Sequence, residues 1–190
     1  MARNILTATM LLMCVCPPAA AQPGDCGAIA AAARISEVGA FSNMRYTDEH
    51  AYGHAVMLWR AGDCLFGLFE SSQGLAGDTP IGALQDLKYD SKTGKLSFFA
   101  KLTTGMVSLG GSNGPEPSRD LFAFEGNLGA NAMRGVITYT LQNNPNVKPT
   151  RTDVVLGTSK SEAEFMHGST TYGEWREQWQ PVLQRRGPKW

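Results

Sequence analysis

The stretch AYGHAVMLWRAGDCLFGLFES, residues 51–71, decides the fold. It predicts two neighbouring strands joined by a tight turn, because apolar residues fill both halves and Ala61-Gly62 supplies the turn. Val56 and Leu58 alternate with Met57 and Trp59, so both faces of the first strand are apolar. We therefore expect both faces of this hairpin to be buried.

Short strand patterns continue along the chain after this hairpin. Residues 95–103 give the clearest one, with Leu96, Phe98, Ala100 and Leu102 pointing to one face. The spacing of apolar residues in 81–89 fits a bulged strand or one helical turn, and we favour the strand. The loop at 90–94 places Gly94 at a left-handed position. Further strands are predicted at residues 120–126, 133–141 and 151–157.

Turn-rich loops rather than long helices separate these strands, which argues against a parallel α/β sheet. The fold class is therefore mostly β. We expect a single antiparallel meander that closes as a small lipocalin-like barrel of about eight strands, or folds as a sandwich. Residues 25–34, rich in alanine, predict a short N-terminal helix with Asp25 as its cap.

Residues 158–190 predict a C-terminal helical extension. Ser161 is a candidate cap, and Trp175 and Trp179 are four residues apart and share one face of a helix. Phe165 and Leu183 extend this apolar stripe, while Pro181 predicts a kink or a new helical piece. We expect an amphipathic helix packed over the sheet or over one barrel mouth.

Residues 1–21 have the pattern of a cleavable signal peptide. One positive charge at Arg3 is followed by a short apolar run and by Ala19-Ala20-Ala21 before Gln22. Cleavage after Ala21 leaves residues 22–190 as a single secreted β domain, with no integral membrane segment. The absence of an Asn-x-Ser/Thr sequon gives no hint of a eukaryotic secretory route, so we expect the protein in a periplasm or outside the cell.

Two cysteines, Cys26 and Cys64, remain after this cleavage. In an oxidising compartment they are expected to form one disulfide that ties the N-terminal segment to the central hairpin. The alternative is a pair of free thiols, or a reactive Cys64 with His54 as its base. The apolar surroundings of Cys64 favour the disulfide.

The charge balance argues against nucleic acid as a partner. The chain has 17 lysines plus arginines and 17 aspartates plus glutamates. Phosphate binding requires a basic surplus or a basic patch, and the sequence offers only the short tail with Arg185, Arg186 and Lys189.

Two short sequence patterns match a metal-binding and a catalytic motif, but the structure predicted around each does not fit the motif. His50 and His54 would share a face on a helix, but the strand pattern separates them by about 13 Å at about 3.3 Å per residue, too far for one metal ion. Ser112 lies in a Gly-x-Ser-x-Gly sequence, but Pro115 and Pro117 follow where a nucleophile elbow needs a helix. No metal or other cofactor is predicted.

The strand aromatics give the leading functional hypothesis, a non-catalytic binding protein for a small apolar or amphipathic ligand. Eight-stranded barrels are near the size at which the interior is filled or holds one small ligand. The candidate binding residues comprise four strand aromatics and three polar rim groups: Trp59, Phe66, Phe98, Phe124, Arg45, Tyr46 and His54.

Two alternatives belong to other classes. The chain could be an inhibitor or immunity-type module that binds a protein partner through loops 74–80 and 110–119. It could also be a hydrolase that uses His54 with a nearby carboxylate or serine, which the sequence supports weakly.

Overall fold

The computed structural model of the protein describes residues 29–75, 79–108 and 114–190. The predicted signal peptide, Cys26 and Ser112 lie outside these ranges. The strands are β1 (Ser36–Ser42), β2 (Arg45–Tyr46), β3 (His50–Ala61), β4 (Cys64–Leu75), β5 (Ile81–Tyr89), β6 (Lys95–Leu102), β7 (Met106–Val107), β8 (Glu116–Pro117), β9 (Asp120–Leu128), β10 (Ala132–Leu141) and β11 (Thr150–Thr158). The helices are α1 (Lys160–Glu164) and α2 (Tyr172–Arg186).

Eight of these strands form a closed antiparallel barrel, which confirms the predicted mostly-β fold. The order around the barrel is β1-β11-β10-β9-β6-β5-β4-β3, and pairing of β1 with β3 closes it. The short β2 pairs with β3 beyond the end of β1, and β7 pairs with β8 in a separate two-stranded sheet. The sequence left a barrel and a sandwich open, and the β1–β3 pairing makes the fold a barrel.

The central hairpin is buried on both faces, as its sequence predicts. Val56 pairs with Phe69 across β3 and β4, and both side chains face the barrel interior. Their neighbours Met57 and Leu68 also pair with each other, and they pack in a second cluster on the outer wall. The turn follows Ala61, where Gly62 adopts φ +58°. Burying large apolar side chains on both faces stabilises the hairpin by about 1.5–3 kcal/mol for each one.

The barrel interior is filled by a cluster of apolar side chains. Phe98 and Phe124, opposite each other on β6 and β9, stack with their ring centroids 5.2 Å apart. Phe69 packs against Phe98 at 6.1 Å. The main barrel core therefore joins β4, β6 and β9 across the interior.

The second cluster forms where α2 packs on the outer wall of β3 and β4. Trp175 and Trp179 meet Trp59 edge to face, with centroids 5.6 and 5.9 Å apart, which confirms their predicted shared face. The helix begins with a capping box in which Thr171 and Glu174 satisfy each other's backbone N–H groups.

Two details of the C-terminal prediction were wrong, and one of the two outcomes predicted at Pro181 is not seen. The cap residue of α1 is Ser159 rather than Ser161. Phe165 is 65 % exposed, so it does not join the apolar stripe. Helix α2 continues through Pro181 without starting a new piece. No helix in the described ranges is long and apolar enough to cross a membrane.

The bulged strand and the loop at 90–94 match their predictions. In β5 the register with β6 shifts between Gln85 and Lys88, and Asp86 adopts φ 45°. In the following turn the Asp90 carboxylate accepts hydrogen bonds from the Lys92 N–H at 2.9 Å and the Thr93 hydroxyl at 2.7 Å. Gly94 has φ +73°, the left-handed conformation that the sequence predicts.

The N-terminal helix prediction covers residues 25–34, of which 29–34 are described. That part forms a turn and an isolated bridge between Arg34 and Thr171 instead of a helix. Its carbonyl oxygens accept hydrogen bonds from the start of α2: the Gly173 N–H donates to Ala31 and the Tyr172 N–H to Ala33. Alanine favours helices more than any other residue, but intrinsic propensity is small in energy and tertiary contacts such as these override it.

Candidate functional site

A cavity of about 810 Å³ opens at one mouth of the barrel. It lies where β3 begins, β4 ends, β9 begins and β10 ends, beside the connection from β6 to β9. Its lining combines apolar and polar side chains with several backbone segments: His54, Ser71, Ser72, Gln73, Gly74, Leu75, Pro80, Thr104, Gly105, Met106, Val107, Ser118, Asp120, Phe122, Ile137, Tyr139, Leu141, Thr150 and Thr152.

Asp120, at the start of β9, is the polar centre of the cavity wall. It is fully buried, and its Oδ2 accepts hydrogen bonds from the Thr104 N–H at 2.7 Å, the Thr104 hydroxyl at 2.9 Å and the Ser118 hydroxyl. The Tyr139 hydroxyl donates to Oδ1 at 2.9 Å. A buried carboxylate requires such compensation, so Asp120 fixes both ends of the connection from β6 to β9.

Tyr139 keeps its proton over the whole physiological range. Burial, together with the neighbouring negative charge and hydrogen bond of Asp120, raises the pKa of Tyr139 to about 12. Each of these effects disfavours a second negative charge beside the carboxylate. The phenol therefore acts as a donor to Asp120 and does not serve as a base at neutral pH.

His54 faces the same cavity from β3. Its ring stacks on Phe69 with centroids 5.6 Å apart and meets Phe122 edge-on at 6.0 Å. Its buried Nδ1 has no hydrogen-bond partner in the described part of the chain. Burial lowers the pKa of His54 to about 4. At neutral pH the imidazole is therefore uncharged, with one donor nitrogen and one acceptor nitrogen.

The rim of the cavity exposes apolar side chains. Leu75 is 68 % exposed at the end of β4, and Met106 is 64 % exposed in β7. The β7–β8 pairing, in which Met106 lies opposite Pro117, holds this part of the rim in place. The opening thus presents apolar surface around a partly polar interior.

The predicted site residues separate into three places. His54 lines the cavity. Phe98 and Phe124 face the barrel interior as predicted, but they are 4 % and 1 % exposed and belong to the packed core below the cavity. His50 and His54 lie on the same strand, as the sequence pattern predicts. In the described ranges no group of three His, Cys, Asp or Glu side chains could hold a metal ion.

The other four predicted residues lie on the outer surface of the barrel. Trp59 and Phe66 pack beneath α2, so the structure corrects their placement as liners of the interior. Arg45 and Tyr46 form β2 and are exposed, away from the cavity. Burial and the nearby carboxylates of Glu162 and Glu70 raise the pKa of Tyr46, which places it beside the C-terminal helices.

Sequence reasoning missed the polar half of the cavity, formed by Asp120, Tyr139, Ser118 and Thr104. A usable signal was present for two of these residues. Asp120 is in phase with the inward-facing Phe122 on β9, and Tyr139 is in phase with Ile137 on β10. A carboxylate in register with an apolar face predicts a buried polar centre.

No protein-family model matches the chain, and neither the curated proteins nor the solved structures include a match.

Proposed function

We propose that the protein is a non-catalytic binding protein that holds one small amphipathic molecule in the barrel mouth. The observation that carries the proposal is the cavity of about 810 Å³ described above. Small-molecule sites are typically concave, about 300–1,000 Å³ in volume, and lined by apolar groups with a few placed polar ones.

The lining supports an amphipathic rather than a wholly apolar ligand. Phe122 and Ile137 supply apolar contact beside His54, while Asp120 and Tyr139 form a polar wall. A molecule with an apolar body and one polar group satisfies both surfaces and leaves no buried polar group unpaired. Exposed Leu75 and Met106 at the rim lie where such a molecule enters.

Native mass spectrometry of gently purified protein tests the proposal. We expect an extra mass of small-molecule size, or, for protein stripped of ligand, saturable binding of the neutral dye N-phenyl-1-naphthylamine with one dye per chain. A co-purifying mass of protein size without dye binding would favour an inhibitor-type module instead. A bare chain that binds no dye would refute the ligand-binding proposal.

A matched pair of variants locates the bound dye. Thr152 lines the cavity on β11, whereas Val155 lies on the outward face of the same strand and is 49 % exposed. Thr152→Trp should weaken dye binding at least about ten-fold, equivalent to about 1.4 kcal/mol. Val155→Trp adds the same bulk outside the barrel and should leave binding unchanged.

An oxidising compartment is part of the same proposal. The predicted signal peptide and the predicted Cys26–Cys64 disulfide both support export, and Cys64 lies at the start of β4. The exported protein should begin at Gln22 and have an intact mass lower by two hydrogens than the reduced chain. A mass that retains residues 1–21, or two alkylatable thiols in freshly isolated protein, would count against it.

A further inference from the structure

Two hydroxyl groups beside Asp120, those of Thr104 and Tyr139, offer oxygen lone pairs to the cavity and no O–H donors. Thr104, Ser118 and Tyr139 each donate their hydroxyl hydrogen to this carboxylate. A hydroxyl has a single hydrogen, so each of the three can only accept from a further partner. The Ser118 oxygen already accepts from the Thr104 and Gly105 N–H groups at 3.0 and 3.2 Å, which leaves Thr104 and Tyr139 with acceptor capacity for a ligand. This wall therefore suits a ligand group that donates hydrogen bonds.

The charge of the cavity lining also favours a ligand group that donates hydrogen bonds and argues against an anionic one. Asp120 is a lining carboxylate, and no lysine or arginine lines the cavity within the described ranges. Arg119 and Arg151, the neighbours of lining residues, are exposed. The segments 76–78 (AGD) and 109–113 (LGGSN) contain no basic residue in their sequence. An anionic ligand would lose its hydration here without gaining a cationic partner.

His54 adds no positive charge to the cavity lining. Its ring is uncharged at neutral pH because burial lowers its pKa to about 4. Its Nδ1 has no hydrogen-bond partner in the described part of the chain, but this atom is itself buried, so the ring brings no charge and no exposed Nδ1 to the cavity. The cavity thus combines a fixed negative charge with unfilled acceptor sites and an apolar floor.

We infer that the cavity selects amphiphiles with a cationic, hydrogen-bond-donating head, such as a primary alkylamine, over carboxylates with the same apolar body. The inference rests on the proposed binding function and narrows its ligand class. An ammonium group donates to the hydroxyl oxygens of Tyr139 and Thr104 and is attracted by Asp120, whereas a carboxylate is repelled by the Asp120 carboxylate and by the lone pairs of those oxygens.

Three probes of equal chain length separate the possibilities: decylamine, decanol and decanoate, titrated calorimetrically at pH 7 below their aggregation concentrations. We expect decylamine to bind at least about ten-fold more tightly than decanoate, with decanol between them. Decanoate or decanol binding more tightly than decylamine overturns the inference and leaves the binding function standing. Failure of all three probes to bind overturns both.

Charge variants at the rim provide a test that does not disturb the buried Asp120. Thr152→Lys adds a cation to the cavity rim, and Val155→Lys adds the same charge to the outer face of the same strand. Thr152→Lys should reverse the preference towards decanoate, while Val155→Lys should keep the preference for decylamine. An unchanged preference in a folded Thr152→Lys protein would contradict the negative-cavity argument.

Discussion

Arg186, in the last turn of α2, donates from Nη2 to the Glu70 carboxylate on the outer wall of β4, with a nitrogen–oxygen distance of 3.0 Å. Its Nε also donates to the carbonyl oxygen of Thr79 at 2.6 Å. The two charged side chains are 22 % and 13 % exposed, so the ion pair is largely removed from water. The end of the chain is thereby tied to the strand and segment that lead to the cavity rim.

Arg186→Met should lower the free energy of unfolding by about 2 kcal/mol, because it leaves the Glu70 carboxylate buried without its cationic donor. Urea denaturation measures this change. Arg185→Met is the matched control, since Arg185 is exposed and its removal should alter stability by less than about 0.5 kcal/mol. Adding Glu70→Gln to Arg186→Met should restore part of the loss, and strictly additive losses would contradict a coupled pair.

The fold was largely predictable because local signals agree with it. Apolar residues on both faces of 51–71 predicted a doubly buried hairpin, and Asp90 and Gly94 predicted a specific turn. The same doubly apolar pattern explains one wrong placement. When both faces of a strand are apolar, alternation does not tell which face points into a barrel, so Trp59 was assigned to the interior although it packs beneath α2.

The candidate site was less predictable, because its polar centre depends on contacts between distant segments. Asp120 resembles any carboxylate at the end of a strand until Thr104 and Tyr139 are brought beside it. These partners are 16 and 19 residues away in the chain. Sequence spacing alone does not specify that they converge, and only the closed barrel places them together.

Asp120→Asn should destabilise the protein by about 3 kcal/mol, because three of its four hydrogen bonds converge on one oxygen and an amide cannot match a carboxylate there. Tyr139→Phe removes a single hydrogen bond and should cost about 1–2 kcal/mol. Chemical denaturation of both single variants and of the double variant tests the shared network. Equal losses for the two single variants would argue against Asp120 as its centre.

Trp175→Ala should be among the most damaging substitutions in α2, lowering stability by about 3–5 kcal/mol through the cavity it leaves. Trp175 is 6 % exposed and contacts Trp59, Phe66 and Tyr172. Phe165→Ala, at an exposed aromatic before α2, should change stability by less than about 0.5 kcal/mol. A thermal melt that ranks the two variants in the opposite order would contradict the packing of α2 on the barrel.

His54 should make the protein less stable as the pH falls from about 6.5 to about 4. Burial lowers the pKa of His54 from 6.5 to about 4 in the folded protein. Between these values the unfolded chain binds a proton at this residue and the folded chain does not. The free energy of unfolding therefore decreases with falling pH, by at most about 3 kcal/mol for this group.

His54→Phe should flatten this pH dependence, since a phenyl ring can stack on Phe69 and Phe122 but does not titrate. His50→Phe, on the same strand but outside the cavity lining, is the matched control for the replacement of an imidazole by a phenyl ring. Urea denaturation between pH 4 and pH 7 measures the free energy of unfolding of each protein. Subtracting the wild-type value from that of each variant removes the contribution of the carboxylates that all three proteins share. If stability changed equally with pH in His54→Phe and in the wild type, His54 would bind its proton as readily in the folded protein as in the unfolded chain. The cavity would then carry a positive charge at mildly acidic pH.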